Sequence, residues 1–152
     1  MTLRDRLTAD VKDAMRARDP LRLLTLRSLI AALQQAEIAQ RQGGTATLDD
    51  ATMLAVVQKQ AKQRRESAAQ FDAAGRADLA DAERAELAII EGYLPVQATD
   101  DDIRAEIARV VADTGASGAS AMGRVMGPVM AALKGRVDGT RVQALVREAL
   151  VG

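Results

Sequence analysis

Three charged residues occupy positions where a helical hairpin should bury apolar side chains. The segment reads KQRRESAAQFDAAGRADLADAERAE, and at about 100° per residue Arg64 falls on the apolar face of its helix. Glu83 and Glu86 fall on the apolar face of the segment that follows Gly75. Because a buried charge is costly unless it is paired, we expect a reversal at Gly75 in the register that brings the arginine to the glutamates.

Two interpretations of this charged group stay open. It forms a structural ion-pair network that fixes the register of the hairpin, or it forms a polar site for a ligand or for catalysis by paired carboxylates. Arg22 and Glu37 also fall toward the inner face of their helix, and we expect them to join the same network.

The residue types that the chain lacks exclude several classes of function. There is no cysteine and no histidine, so the chain offers no thiol nucleophile, no cysteine-based zinc site and no imidazole base. One Phe, one Tyr and no Trp leave too few rings for a platform that stacks single-stranded nucleic acid. No glycine-rich loop matches a phosphate-binding fingerprint. We therefore expect no cofactor and no metal.

The charges of the chain are balanced. Lys+Arg and Asp+Glu both number 21, with 14 of each before Pro95 and seven of each after it. Neither half is a basic module, which argues against general nucleic-acid binding, and we expect no DNA partner. No apolar run approaches the ~20 residues that span a bilayer, and the start of the chain lacks the apolar region of a signal peptide. These features predict a soluble cytoplasmic protein without a membrane association.

The spacing of apolar residues predicts an all-α fold, because it is helical throughout and no segment alternates with period two. The residue pattern changes near Pro95, which predicts an N-terminal four-helix unit over 1–95 and a small three-helix tail domain over 99–152. The predicted helices of the first unit span about 2–18, 20–42, 47–74 and 77–94. On the first helix the inward residues are expected to be Leu3, Leu7, Val11 and Met15.

Turn and cap residues mark several helix ends. Gly43-Gly44 is expected to end the second helix, and Thr47 with Asp50 resembles a capping box that opens the third. Pro128 falls inside the sixth predicted helix, where a proline costs about 3 kcal/mol. We therefore expect either a kink there or a helix that effectively begins after Ser120.

One group of basic residues on the hairpin is a candidate for contact with RNA phosphates. These residues lie toward its outer side and are Lys59, Lys62, Arg65 and Arg76. A solvated charged face is the alternative interpretation, because acidic residues lie among them. The methionines at 122, 126 and 130 favour core packing, with an adaptable partner surface as the alternative.

Four blocks of the sequence resemble the GatB/YqeY family over nearly the full length of the chain. They read LRDRLTADVKDAMRARDPLRLLTLRSL, KQAKQRRESAAQFDAAGRADLADAERAEL, IIEGYLP and MGRVMGPVMAALKGRVDGTRV. The C-terminal part resembles the tail domain of the B subunit of the tRNA-dependent amidotransferase, which converts Glu-tRNA(Gln) or Asp-tRNA(Asn) to the amidated form. The resemblance implies a two-part helical protein and a link to tRNA. Because no block resembles the cradle domain that carries the chemistry in that subunit, we expect no counterpart of it here.

The resemblance also implies where tRNA would bind and what the chain would do. Contact would fall near Arg124, Lys134, Arg136 and Arg141, and the exact geometry around the first depends on Pro128. We expect a non-catalytic helical accessory protein that binds tRNA or a tRNA-handling enzyme such as an amidotransferase. One alternative is a subunit of an amidotransferase complex, with carbon–nitrogen ligase activity and glutamine as amido-nitrogen donor. Another is a protein-interaction module that docks through the tail helix. No catalytic residue is assigned.

Overall fold

The computed structural model describes residues 1–41 and 47–151. Over these residues the chain forms seven α-helices, one short 3₁₀ turn and no strand, which confirms the all-α prediction. The helices are α1 (Leu3–Arg16), α2 (Pro20–Gln40), α3 (Asp50–Ala73), α4 (Ala77–Glu91), α5 (Asp100–Thr114), α6 (Met122–Ala132) and α7 (Gly139–Val151), and the 3₁₀ turn is Ala119–Ala121. The chain divides into an N-terminal unit, Met1–Leu94, and a C-terminal unit that begins at Pro95.

In the N-terminal unit, α2 packs against α1, α3 and α4, and α3 and α4 form a hairpin. The core is aliphatic, and its most deeply buried large side chains are Leu7, Leu26, Leu29, Leu33, Val57 and Ile90. Burying each such side chain stabilises the fold by about 1.5–3 kcal/mol.

The apolar stripe of α1 differs from the prediction at its end. Met15 was expected to face inward, but it is 53% exposed, and Ala14 is buried instead. Residues four apart advance about 400° around a helix, so each step drifts by roughly 40° and the fourth member of the series has rotated by about 120°. At the end of the helix the buried residue is therefore Ala14, one position before Met15.

The reversal between α3 and α4 is made by Gly75, which has a φ of 73°. The N–H of Arg76 donates to the Phe71 carbonyl at 2.8 Å, and the N–H of Gly75 donates to the Asp72 carbonyl at 3.0 Å. These two hydrogen bonds form a Schellman motif, which satisfies carbonyls that the end of a helix leaves without donors. The predicted break at Gly75 is confirmed.

The start of α3 differs from the prediction. Asp49, and not Thr47, is the N-cap residue, and its carboxylate accepts from the N–H of Thr52 at 2.7 Å. A charged carboxylate is a stronger acceptor for this N–H than a hydroxyl, and it also complements the positive end of the helix dipole. The predicted end of α2 at Gly43-Gly44 lies outside the described residues.

In the C-terminal unit, α5, α6 and α7 each pack against the other two. Its core is formed by side chains that include Ile107, Val125, Val129, Val142 and Val146. The three methionines of α6 are half-buried against this core, in agreement with the packing interpretation. Thr99 and Asp102 form a capping box at the start of α5, with hydrogen bonds of 3.1 and 3.0 Å.

Pro128 lies inside α6. The helix begins at Met122, just after the 3₁₀ turn, so the second of the two expected outcomes is observed. Because proline has no N–H, the carbonyl of Arg124 lacks its intrahelical donor. The helix has 11 residues, and only its last turn follows the proline.

We predict that Gly75→Ala lowers the free energy of unfolding by about 1 kcal/mol, because a side chain disfavours positive φ. This holds even though no atom of the described residues lies within 4 Å of the added Cβ. Gly123→Ala is the matched control. It adds the same methyl group in open space within α6 and should stabilise by about 0.5–1 kcal/mol. Urea unfolding of both variants measures whether each substitution lowers or raises the free energy of unfolding. A Gly75→Ala variant as stable as the wild type would contradict the conformational argument.

Candidate functional site

The reversal at Gly75 brings Arg64 of α3 to Glu83 and Glu86 of α4, in the register expected from the sequence. The Arg64 Nε atom lies 2.8 Å from Glu86 Oε2 and 3.7 Å from Glu83 Oε2. The three side chains are only 22–23% exposed. An arginine and two glutamates thus meet in a half-buried position between two helices.

The hydrogen bonding of this group is incomplete. The Arg64 Nε and Glu83 Oε2 atoms are buried, and neither makes a hydrogen bond within the described residues. The contact is therefore mainly electrostatic, and one guanidinium faces two carboxylates. A single negative charge remains, and the role of the group in fixing the hairpin stays a prediction.

Arg22 and Glu37 do not join this group, contrary to expectation. Glu37 pairs with Arg4 of α1, and the Arg22 Nη2 atom lies 3.7 Å from Asp10 Oδ2, also on α1. Both side chains of α2 therefore face the neighbouring helix α1. The helical wheel of α2 showed an inner side, but that side meets more than one partner helix.

The outer cations of the hairpin are mostly matched by acidic neighbours. Arg65 contacts Glu91 at 3.1 Å and Arg76 contacts Asp78 at 3.1 Å. The remaining two are Lys62, which lies 4.0 Å from Glu66, and Lys59, which is exposed. The four residues therefore do not form a strongly uncompensated positive surface.

The four candidate cations of the tail differ in their surroundings: one pairs with a carboxylate, two donate to backbone carbonyls, and the lysine is exposed. Arg141 pairs with Asp100 through two hydrogen bonds. The Arg124 Nη2 group donates to the Thr114 carbonyl at 3.0 Å, and the Arg136 Nε group donates to the Val96 carbonyl at 2.8 Å. Lys134, just beyond the end of α6, is exposed. These positions lie at both ends of α6 and on α7, so the four do not converge on one point.

The pairing of Asp100 with Arg141 shifts the pKa of both side chains. The hydrogen bonds from Arg141 lower the pKa of the Asp100 carboxyl, and the same hydrogen bonds raise the pKa of Arg141. The pKa of Asp102 is lowered by the hydrogen bonds of the capping box with Thr99. Both carboxylates are therefore held in the charged form at the start of α5, where the helix dipole also favours them.

A second polar group, which the sequence reasoning missed, joins α1, α2 and the end of α4. The Tyr93 hydroxyl donates to Asp10 Oδ2, the Arg6 guanidinium lies 5.3 Å from the centroid of the Tyr93 ring, and Arg22 contacts the same carboxylate. Burial, followed by the hydrogen bond to Asp10, raises the pKa of Tyr93, so the phenol stays a neutral donor. With Ala88, Ile89 and Gly92, these four residues line a cleft of about 360 Å³, here called the Tyr93 cleft.

Only weak signals in the sequence point to the Tyr93 cleft. Asp10 and Tyr93 are 83 positions apart, and no local pattern reports a contact over that separation. The available signals were the single tyrosine of the chain, directly after Gly92, and the spacing of Arg6 and Asp10, which places both on one face of α1.

Known proteins resemble this chain along most of its length. Residues 4–150 match the family described as Yqey-like protein. The "Altered inheritance of mitochondria protein 41, mitochondrial" of Pyrenophora tritici-repentis is 33% identical over 147 residues, which cover 94% of this chain and 78% of that protein. The protein of the same name from Kluyveromyces lactis is 33% identical over 110 residues, 70% of this chain and 57% of that protein. That of Eremothecium gossypii is 36% identical over 98 residues, 62% and 52%.

These comparisons correct one expectation and leave others as predictions. All three relatives are named as mitochondrial proteins, which overturns the prediction of a cytoplasmic protein. The matched segments span just over half of the Kluyveromyces and Eremothecium relatives. The names say nothing of tRNA or amide transfer. In the described part of the chain, no helix is long and apolar enough to cross a membrane.

We predict that Arg64→Met destabilises the N-terminal unit by about 2 kcal/mol, less than the 3–5 kcal/mol of a fully buried pair, because it leaves two partly buried glutamates without their cation. Replacing the whole group, with Glu83→Leu and Glu86→Leu added, should recover much of this stability. Arg84→Met is the control: the side chains of its ion pairs are 46–76% exposed, and these pairs should contribute less than about 1 kcal/mol. An unchanged melting temperature for Arg64→Met, together with the abolition of a binding activity, would contradict the structural role.

We also predict an acid-dependent decrease of stability in the C-terminal unit. Because the pKa of Asp100 is lowered from its usual 3.8 in the folded state, its pairing stabilises fully above about pH 4 and is lost as the pH falls through the lowered pKa. The difference in urea midpoint between wild type and Asp100→Asn should therefore shrink on acidification, as followed by amide NMR signals of α5. Asp101→Asn is the control and removes a carboxylate that is 95% exposed. Its urea midpoint should change with pH as that of the wild type does. A difference that grows on acidification would show that the sign is wrong.

Proposed function

The chain belongs to the YqeY-like protein family, and from this premise we propose that it is a non-catalytic helical accessory protein that binds tRNA through its C-terminal unit. One observation carries the proposal: Arg124 and Arg136 are held by backbone carbonyls and not by carboxylates. In the described part of that unit neither guanidinium makes a direct ion pair, although the pKa of Asp102, lowered mainly by its hydrogen bonds with Thr99, is lowered further by the nearby Arg136.

The way in which these arginines are held suits them to phosphate contact. A guanidinium has five N–H donors in a fixed fork, and a single hydrogen bond to a carbonyl orients the fork while leaving donors available. Lys134 adds an exposed point charge near Arg136. Arg141 is less suited, because a phosphate there would have to displace the Asp100 carboxylate.

The type of contact follows from the composition. With one Phe, one Tyr and no Trp in the chain, base stacking has few partners, so recognition would depend on phosphates and on the shape of the RNA. Such binding is strongly dependent on salt. Because the relatives are named as mitochondrial proteins, the RNAs to be tested include mitochondrial tRNA.

We predict that the triple variant Arg124→Ala/Lys134→Ala/Arg136→Ala binds tRNA at least about tenfold more weakly at low salt. Its plot of log affinity against log salt should be shallower by about one unit for each phosphate that the protein no longer neutralises. Gel shifts at low salt and at about 0.2 M salt measure both quantities.

The matched control removes the same number of charges from the same unit. Arg104→Ala/Arg109→Ala/Arg141→Ala takes away three arginines that are paired with carboxylates, and it should change the salt slope much less. Equal effects of both triple variants would mean that net charge alone drives binding. If the folded wild-type protein fails to shift tRNA at low salt, direct binding is ruled out and a tRNA-handling protein becomes the partner to seek.

A further inference from the structure

The Tyr93 cleft holds more hydrogen-bond donors than the protein satisfies. Arg6 and Arg22 each carry five side-chain N–H donors, yet within the described residues neither guanidinium donates a hydrogen bond to the protein. The Arg22 Nη2 atom lies 3.7 Å from Asp10 Oδ2, beyond hydrogen-bond distance. The same oxygen already accepts from the Tyr93 hydroxyl.

The cleft is also positively charged and is fixed by its own contacts. Two arginines and one aspartate leave a net charge of about +1. Asp10 orients Arg22, and the partly buried carboxylate is itself held by the phenol of Tyr93. Arg6 lies over the face of the same ring, so its guanidinium is attracted to a defined position. The arrangement places two guanidinium groups around a single carboxylate, so the arginines outnumber the acidic group of the cleft.

We propose that the Tyr93 cleft binds a phosphate group, supplied either by free phosphate or by a small phosphate monoester. A carboxylate offers two oxygens in one plane, which suit a single guanidinium fork. A phosphate offers oxygens in several directions, so Arg6 and Arg22 can both bind it from different sides.

The volume and the apolar lining of the cleft limit the size of the organic group that the phosphate carries. A volume of about 360 Å³ is near the lower end of the range of roughly 300–1,000 Å³ for ligand pockets. Ala88, Ile89 and Gly92 form the apolar part of the lining, where a compact organic group would lie. This site belongs to the N-terminal unit and does not depend on tRNA binding by the C-terminal unit.

The test titrates the ¹⁵N-labelled full chain with inorganic phosphate, with glycerol 3-phosphate and with glycerol, at constant ionic strength. The signals to follow are the amide of Gly92 and the Nε–H groups of Arg6 and Arg22. We predict saturable shifts with the two phosphate compounds and none with glycerol. Tighter binding of glycerol 3-phosphate than of phosphate identifies a monoester as the preferred ligand, and equal binding identifies phosphate itself.

Matched variants separate this site from general charge effects. Arg6→Gln and Arg22→Gln should each weaken phosphate binding at least about tenfold, in keeping with the removal of a charge-assisted hydrogen bond. Arg16→Gln on α1 and Arg27→Gln on α2 remove exposed arginines outside the cleft. These two variants should change the affinity for phosphate less than about twofold. Arg6 makes no ion pair in the described residues, so its variant tests the site even where Arg22→Gln disturbs the fold. The proposal is wrong if wild type shows no saturable shift, or if the control variants weaken binding as much.

Discussion

The packing of α3 against α4 brings three charges together on faces that are otherwise apolar. Arg64 lies 2.8 Å from Glu86. We predict that this pairing fixes the register of the hairpin, because a shift of either helix by one residue would turn its side chains by about 100° and place charges against aliphatic groups. The Schellman motif at Gly75 fixes the length of the connection. Since α2 packs on both members of the hairpin, the register is transmitted to the rest of the N-terminal core.

The Tyr93 cleft is a consequence of that packed core. When α2 and α4 are fixed, the end of α4 brings Tyr93 to Asp10 on α1, and α1 and α2 bring their arginines to the same place. A buried phenol needs a hydrogen-bond partner, and Asp10 is that partner. The resulting group both ties three helices together and leaves two guanidinium forks open to solvent, so a structural contact and the proposed binding site use the same residues.

In the C-terminal unit, the environment of each cation matters more than the number of cations. The unit has seven basic and seven acidic residues, and its net charge gives no reason to expect RNA. Pairing is uneven, however, because arginines on α5 and α7 meet carboxylates, whereas Arg124 and Arg136 meet backbone carbonyls. Local charge can therefore be positive on a surface that is neutral on average.

The sequence by itself determined the helices, their main breaks and the hairpin, because these follow from local periodicity, from glycine at positive φ and from the high free energy of unpaired buried charge. It also allowed two outcomes for Pro128 without deciding between them. Only the tertiary structure decided which helix Arg22 faces, which tail arginines are neutralised, and that Asp10 meets Tyr93. These are contacts between residues far apart in the chain, and a helical wheel reports the direction of a side chain without identifying the element that it meets.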